Sequence, residues 1–400
     1  MAIRVKINPL NILNFATFFQ YQRFVMPISY LFYLHNGLTF SEFIFCQSVY
    51  NATCLVAKIL FGFVGDIFPK KYILIFSYVL FLTRVILWIN FSGFWILLFG
   101  EALYGLFKAF YKGNVDSYIY QYLEQNSQSS DMIKKYGRLS FYTSLGSAIS
   151  CFLGVIIYKF FGFMTILYLE LFTQIIALCS LFMLPNIKND SAKNNGVIFY
   201  FKHMATSIKS LLMNKKVNYY VFYSSMLSGF TNVFVWNFQP LLKISSAPVF
   251  LYGVVNFVNQ MFRGFGGLCA RRFSKILSKS RIVLLEYIAL ITSFVLLSGG
   301  YLLKNCIFSI VALMIVCFAI LLFVVFNIFT VSKIHEYSKD YNRALRASVN
   351  TFAEDFVSVF MLLGFKFLYD GLGFVYAITI LSLFALTFMF PIKRVIANAG

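Results

Sequence analysis

Charge is what this sequence has least of. Only 12% of its 400 residues are Asp, Glu, Lys or Arg, about half the share found in soluble domains. Histidine is almost absent. His35, His203 and His335 fall in or near expected loops, with no second His and no Cys beside them. The seven cysteines, at positions 46, 54, 151, 179, 269, 306 and 317, are scattered through apolar runs. They lack the paired spacing of a metal site and read as small buried residues. These shortages argue against a metal centre and against a cofactor. They also leave no interfacial cluster for a membrane-embedded enzyme such as a lipid-modifying transferase. No small-residue cleavage site follows the opening Met-Ala-Ile-Arg-Val-Lys, so the first apolar run reads as a retained helix and not as a signal peptide.

What is abundant is apolar: 60% of the residues are hydrophobic, with 51 Phe and 26 Tyr. That composition predicts an all-α integral membrane protein. About 20 apolar residues cross a bilayer as helix. On that criterion twelve spans are expected, near 10–34, 41–64, 72–91, 94–119, 137–158, 163–185, 217–241, 248–270, 281–302, 306–330, 345–367 and 371–391. The longest gap separates the sixth from the seventh. It starts with the polar run Asn186 to Gly196 and continues through a mildly amphipathic piece that suits the interface. Three parts follow: a six-helix bundle over 1–186, a cytoplasmic linker over 187–216 and a second six-helix bundle over 217–400.

A net charge of +20 would suggest nucleic acid in a soluble protein. Here its placement speaks for topology. With both termini in the cytoplasm, 24 of the 34 Lys and Arg fall in cytoplasmic segments, and only Lys159, Lys243, Lys304 and Lys366 fall outside. The positive-inside rule is then met at each alternate loop. The expected location is the cytoplasmic (inner) membrane. The halves also repeat. Pro27 and Pro240 sit toward the outer ends of spans 1 and 7, and glycines followed by paired cations close spans 2 and 8 at Lys70-Lys71 and Arg271-Arg272.

The break after span 2 reads Gly62-Phe63-Val64-Gly65-Asp66-Ile67-Phe68-Pro69-Lys70-Lys71. Its glycines permit close approach or unusual φ, and Pro69 cannot continue a helix. Twelve spans, the six-plus-six split and this loop resemble the major facilitator superfamily. Gly105…Asp116-Ser117-Tyr118 at the end of span 4 and Arg343-Ala344-Leu345-Arg346 entering span 11 add to the resemblance. The loop departs from the family pattern at Ile67 and Pro69, and the span 5 Gly-Pro signature of antiporters is missing. Gly146, Ser150 and Gly154 keep only small residues at intervals of four, which suits close helix packing. The resemblance implies alternating access and an inner-gate role for Asp66, with Lys70 and Lys71 as partners; Gly62, Gly65, Asp116 and Arg346 join this gating set. Likeness to bacterial drug- and metabolite-efflux members leans the expected direction to export. Import of a nutrient anion, or export of drugs, peptide antibiotics or siderophores, are the alternatives. A non-transporting receptor would have no use for costly charges inside the spans.

Those buried charges are the functional signal, because ionised groups at membrane depth usually face a cavity. Glu101, Gly105, Lys108, Lys112 and Asp116 fall on one face of span 4. Arg23 lies in span 1 beside Gln20 and Gln22, and a guanidinium recognises carboxylate or phosphate with two donors. The expected substrate contacts are Gln20, Arg23, Lys108, Trp236, Asn237, Asn256, Gln260 and Arg263. The static alternative for Arg23 is a pair with Glu101, although Arg84 is the preferred partner for Glu101. Glu354 and Asp355 point about 100° apart on span 11, so one of them should face the cavity. A desolvated carboxylate can exchange a proton, so proton coupling is assigned to Glu354, Asp355 or Glu101. Lys58 is read as snorkelling, and Glu170 and Glu286 as structural. The cationic balance points to a small anionic or zwitterionic organic substrate. The expected partners are that solute, protons and membrane lipids, with the protein a monomer.

Overall fold

The computed structural model describes residues 8–62, 64–126, 132–187, 215–276, 279–336 and 343–398. The expected linker over 187–216 lies almost wholly outside the described residues. The elements are α1 (Pro9–Gln20), a 3-10 turn (Met26–Ile28), α2 (Ser29–His35), α3 (Phe40–Phe61), α4 (Val64–Ile67), α5 (Lys70–Asn90), α6 (Phe94–Gln125), α7 (Met132–Phe182), α8 (Lys215–Ile244), α9 (Val249–Ile276), α10 (Lys279–Leu303), α11 (Cys306–Glu336), α12 (Arg343–Leu372) and α13 (Phe374–Asn398). Six described segments are long and apolar enough by themselves to cross a bilayer, and one of these, 137–182, has the length for two crossings. It divides at Gly162, whose φ of 78° turns the chain between the fifth and sixth expected spans. The more polar α8, α9 and α12 have 28 to 30 residues each, and the apolar α13 has 25, enough to span at 1.5 Å per residue.

The first span is not one helix, contrary to the expected 10–34. α1 stops at Gln20, and Tyr21–Val25 run unwound into the 3-10 turn. Pro27 lacks an N–H, and its ring clashes with the carbonyl four residues back, here that of Arg23. Backbone groups freed at membrane depth need partners, and α7 supplies them. Gln174 Nε2 donates to Phe19 O at 3.2 Å and to Gln20 O at 3.1 Å, and Glu170 Oε2 accepts from Val25 N at 3.2 Å. Ser150 Oγ reaches Tyr21 O at 3.5 Å. Gly146 and Gly154 let α7 approach closely, because a Cβ on either would collide with Phe18 O or Phe24 O. The small-residue stripe of span 5 is therefore the seat of the broken span 1. Gln174→Leu removes the donor to both carbonyls and should cost about 1–3 kcal/mol, read as a lowered unfolding midpoint in detergent.

α1, α3, α5, α6 and α7 pack together, as do α8 to α13. The two groups meet along two seams, α3 on α12 and α7 on α9. On the second, Gly253 lies against Cys151 O and Val155, and Gly264 against Ser144. One apolar cluster runs through both groups, from Phe24, Tyr33 and Phe43 to Phe230, Phe294 and Phe365. The end of the bundle away from Lys70 and Lys71 is closed across the groups. Gln239 accepts from Tyr30 N at 2.8 Å and donates to Met26 O at 2.9 Å, while Ser41 Oγ donates to Asp370 at 2.9 Å. Phe40 packs edge-on to Tyr369, and Phe43 to Trp236.

Candidate functional site

The charges of α6, α3 and α12 converge at the first seam. Asp355 pairs with Lys58 through Oδ2 and with Lys108 Nζ through Oδ1, the latter at 3.7 Å. Lys108 also stands 4.9 Å from the ring centroid of Tyr50, which stacks on Tyr104. The Lys108 side chain is 31% accessible and that of Asp355 13%, so the lysine has an open side that the carboxylate does not fill. Lys112 is exposed one turn further on and interacts electrostatically with Glu354 and Asp355. Arg263 on α9 is exposed and lies within electrostatic reach of Tyr50 from the other group of helices. Three cations, Lys58, Lys108 and Lys112, thus gather at Asp355 where the groups meet. The snorkelling reading of Lys58 is corrected: it turns inward because Asp355 meets it there.

Adjacent positions on α12 do divide. Glu354 turns away from Lys58 and Lys108 into the C-terminal helices. Its Oε1 accepts from Asn327 at 2.5 Å, Asn350 at 2.8 Å and Ser224 at 3.0 Å. Ser358, one turn on, receives a bond from Asn232 at 2.8 Å. Among the described residues Glu354 makes no ion pair, whereas Asp355 makes two. Asp355 is thus held between two ammonium groups, whereas Glu354 meets neutral donors.

Glu101 belongs to a different cluster. It accepts from Arg84 at 3.1 Å and from Tyr33 Oη at 2.7 Å, and both partners are buried. Arg84 lies 3.8 Å over the ring of Trp88 and shares Tyr104 and Phe81 with Arg23. That is the Arg84–Glu101 pair anticipated from the sequence, and it matches the charge of Glu101 inside the bundle. Arg23 sits in the unwound stretch among Tyr21, Phe81, Tyr104 and Phe107, with its Nε unpartnered. It does not meet Lys108 in the ion-pair cluster.

The remaining expected contacts are dispersed. Gln20 is fully buried with both amide atoms unpartnered. Asn237 and Asn256 are buried and donate to carbonyls of their own helices, Val233 O and Tyr252 O. Trp236 is half-buried against Phe43, with its Nε1 unpartnered, and Gln260 is half-buried. Of the gating residues, Gly62 has an ordinary helical φ of −57°, so no unusual backbone is required there. Lys71 Nζ caps Phe182 O at 2.7 Å, binding α5 to the end of α7. Lys70 is buried and Asp116 half-buried. The surroundings of Gly65 and the side chains of Asp66 and Arg346 are not among the described features. No sequence pattern marks the cross-seam pair of Lys58, and Pro27 is the one signal for the break at Arg23.

The major facilitator superfamily model matches residues 10–361. The chain belongs to the Major Facilitator Superfamily. It is a multi-pass membrane transporter of that superfamily. Its fold is similar to that of a mutant of the nucleoside transporter NupG, with a TM-score of 0.77 at 14% identity over 98% of each chain. A second NupG structure gives a TM-score of 0.73 at 14% identity over 98% of this chain and 97% of that one. No curated protein matches the sequence significantly. A superfamily transporter carries a small molecule between its halves, and the Lys58–Asp355–Lys108 cluster lies at such a junction.

Proposed function

We propose that the protein moves a small anionic or zwitterionic organic solute across the cytoplasmic membrane by alternating access, coupled to protons and directed outward. The observation that carries this reading is the excess of cations around Asp355, which Lys58 and Lys108 pair with and Lys112 approaches, with Lys108 left an accessible side. Transport of a cation would need the opposite sign. In this reading the parts 1–186 and 217–400 rock about the α3–α12 and α7–α9 seams, both termini face the cytoplasm, and the Asp66 loop gates the inner side. Protons exchange at Glu354, whose acceptor is met only by neutral donors.

The test is transport in proteoliposomes of matched anionic, zwitterionic and cationic compounds, with and without a pH gradient. Anion movement that depends on the gradient is expected. Glu354→Gln should reduce accumulation to the level without a gradient while sparing substrate counterflow. Cation transport, or an unaltered gradient response in Glu354→Gln, would overturn the corresponding half of the proposal. A neutral nucleoside is the second reading. It is favoured by the likeness to NupG and by the uncharged set Asn232, Ser228 and Ser358 beside Glu354. Inclusion of nucleosides in the same panel separates the two.

A further inference from the structure

α10 carries one carboxylate at membrane depth that neither seam uses. Glu286 is 2% exposed, and neither of its oxygens has a hydrogen-bond partner. It lines a small cavity with Thr231 and Phe234 of α8 and Ala319, Ile320 and Phe323 of α11. The titratable groups nearby are Tyr223 on α8, buried and also unpartnered, and Tyr287 beside it on α10. The described cations of the surrounding helices are Arg281, early in α10, and Lys243, at the far end of α8; among the described residues neither pairs with Glu286. α11 and α13 present no described charged side chain.

A bare carboxylate in such surroundings carries a large desolvation penalty. Only a counter-ion or a proton relieves this. A hard cation takes about six or more oxygens, and the cavity offers the two of Glu286 and the hydroxyl of Thr231. The donor set is too small for a metal ion and sufficient for a proton.

We propose that Glu286 is a proton-binding site, built into the interior of the C-terminal helices and distinct from Glu354. The carboxylate takes up one proton and becomes a neutral acid, in which form α10 packs against α8 and α11. Loss of the proton puts a charge beside Phe234 and Phe323 and drives α10 away from α8. Exchange therefore slows as pH rises, whatever the substrate.

Infrared difference spectroscopy of the purified full chain in lipid tests this. At neutral pH a protonated-carboxyl C=O band is expected that is lost in Glu286→Gln, shifts in Glu286→Asp and is unchanged by added sodium. In counterflow, Glu286→Gln should keep the rate seen at acid pH and lose the alkaline decline. A spectrum identical in wild type and Glu286→Gln, a band abolished by sodium, or an alkaline decline that persists in Glu286→Gln would each overturn the assignment. None of these outcomes bears on Glu354, whose failure would show in the gradient response instead.

Discussion

Lys108→Met is expected to lower transport of the anionic solute proposed above ~30-fold or more while the protein stays folded. Truncating one partner of a buried charge pair costs about 2–5 kcal/mol, and each 1.4 kcal/mol is about tenfold. Folding is spared because Asp355 keeps Lys58. The double substitution Lys108→Met with Asp355→Asn separates the two roles of the lysine. If Lys108 only neutralised Asp355, removing both charges would restore transport. If it also holds the substrate anion, the double variant stays inactive. Substrate-protected thermal shift and counterflow, measured on the same preparations, distinguish these. Full activity in Lys108→Met would remove the cation cluster from the site.

The second large effect is on stability. Glu101→Ala leaves Arg84 buried without its carboxylate, and removing one partner of a buried ion pair costs about 3–5 kcal/mol. Glu101 also accepts from Tyr33 Oη, so a buried hydroxyl loses its acceptor as well. The expected outcome is a marked fall in the unfolding midpoint in detergent. Replacing both residues by leucine should recover much of the loss, because an apolar pair of similar volume avoids the uncompensated charge. The stacking of Arg84 on Trp88 and Tyr104 limits that recovery. A double variant no more stable than Glu101→Ala would mean that the guanidinium is held by its aromatic neighbours and not by the carboxylate.

The spans were legible because their signal is long and repetitive. Apolar runs of some 20 residues placed the starts of α3, α5, α6 and the later helices to within three positions, while several ends run five to seven residues further than expected, and Gly162 divides α7 where a turn was expected. The Arg84–Glu101 pair was legible too, since two opposite charges in adjacent spans have few other partners. The split between Glu354 and Asp355 followed from 100° per residue alone. Lys58 was not legible. Its partner lies 297 residues away, and no periodicity reports a contact between helices that distant in sequence. The break in α1 was half-visible. Pro27 marked a kink, but unwinding of Tyr21–Val25 depends on Gln174 of α7 being placed to donate there and Glu170 to accept.

Alternating access requires the closed end of the α3–α12 seam to part during each cycle. Ser41 and Asp370 are bonded across that end at 2.9 Å. Ser41→Cys and Asp370→Cys, introduced into a chain whose seven native cysteines are replaced, place a removable bolt there. Oxidation should stop counterflow, and reduction should restore it. A cross-linked protein that exchanges substrate at the rate of the reduced form would contradict the account, because transport would then proceed without that seam opening.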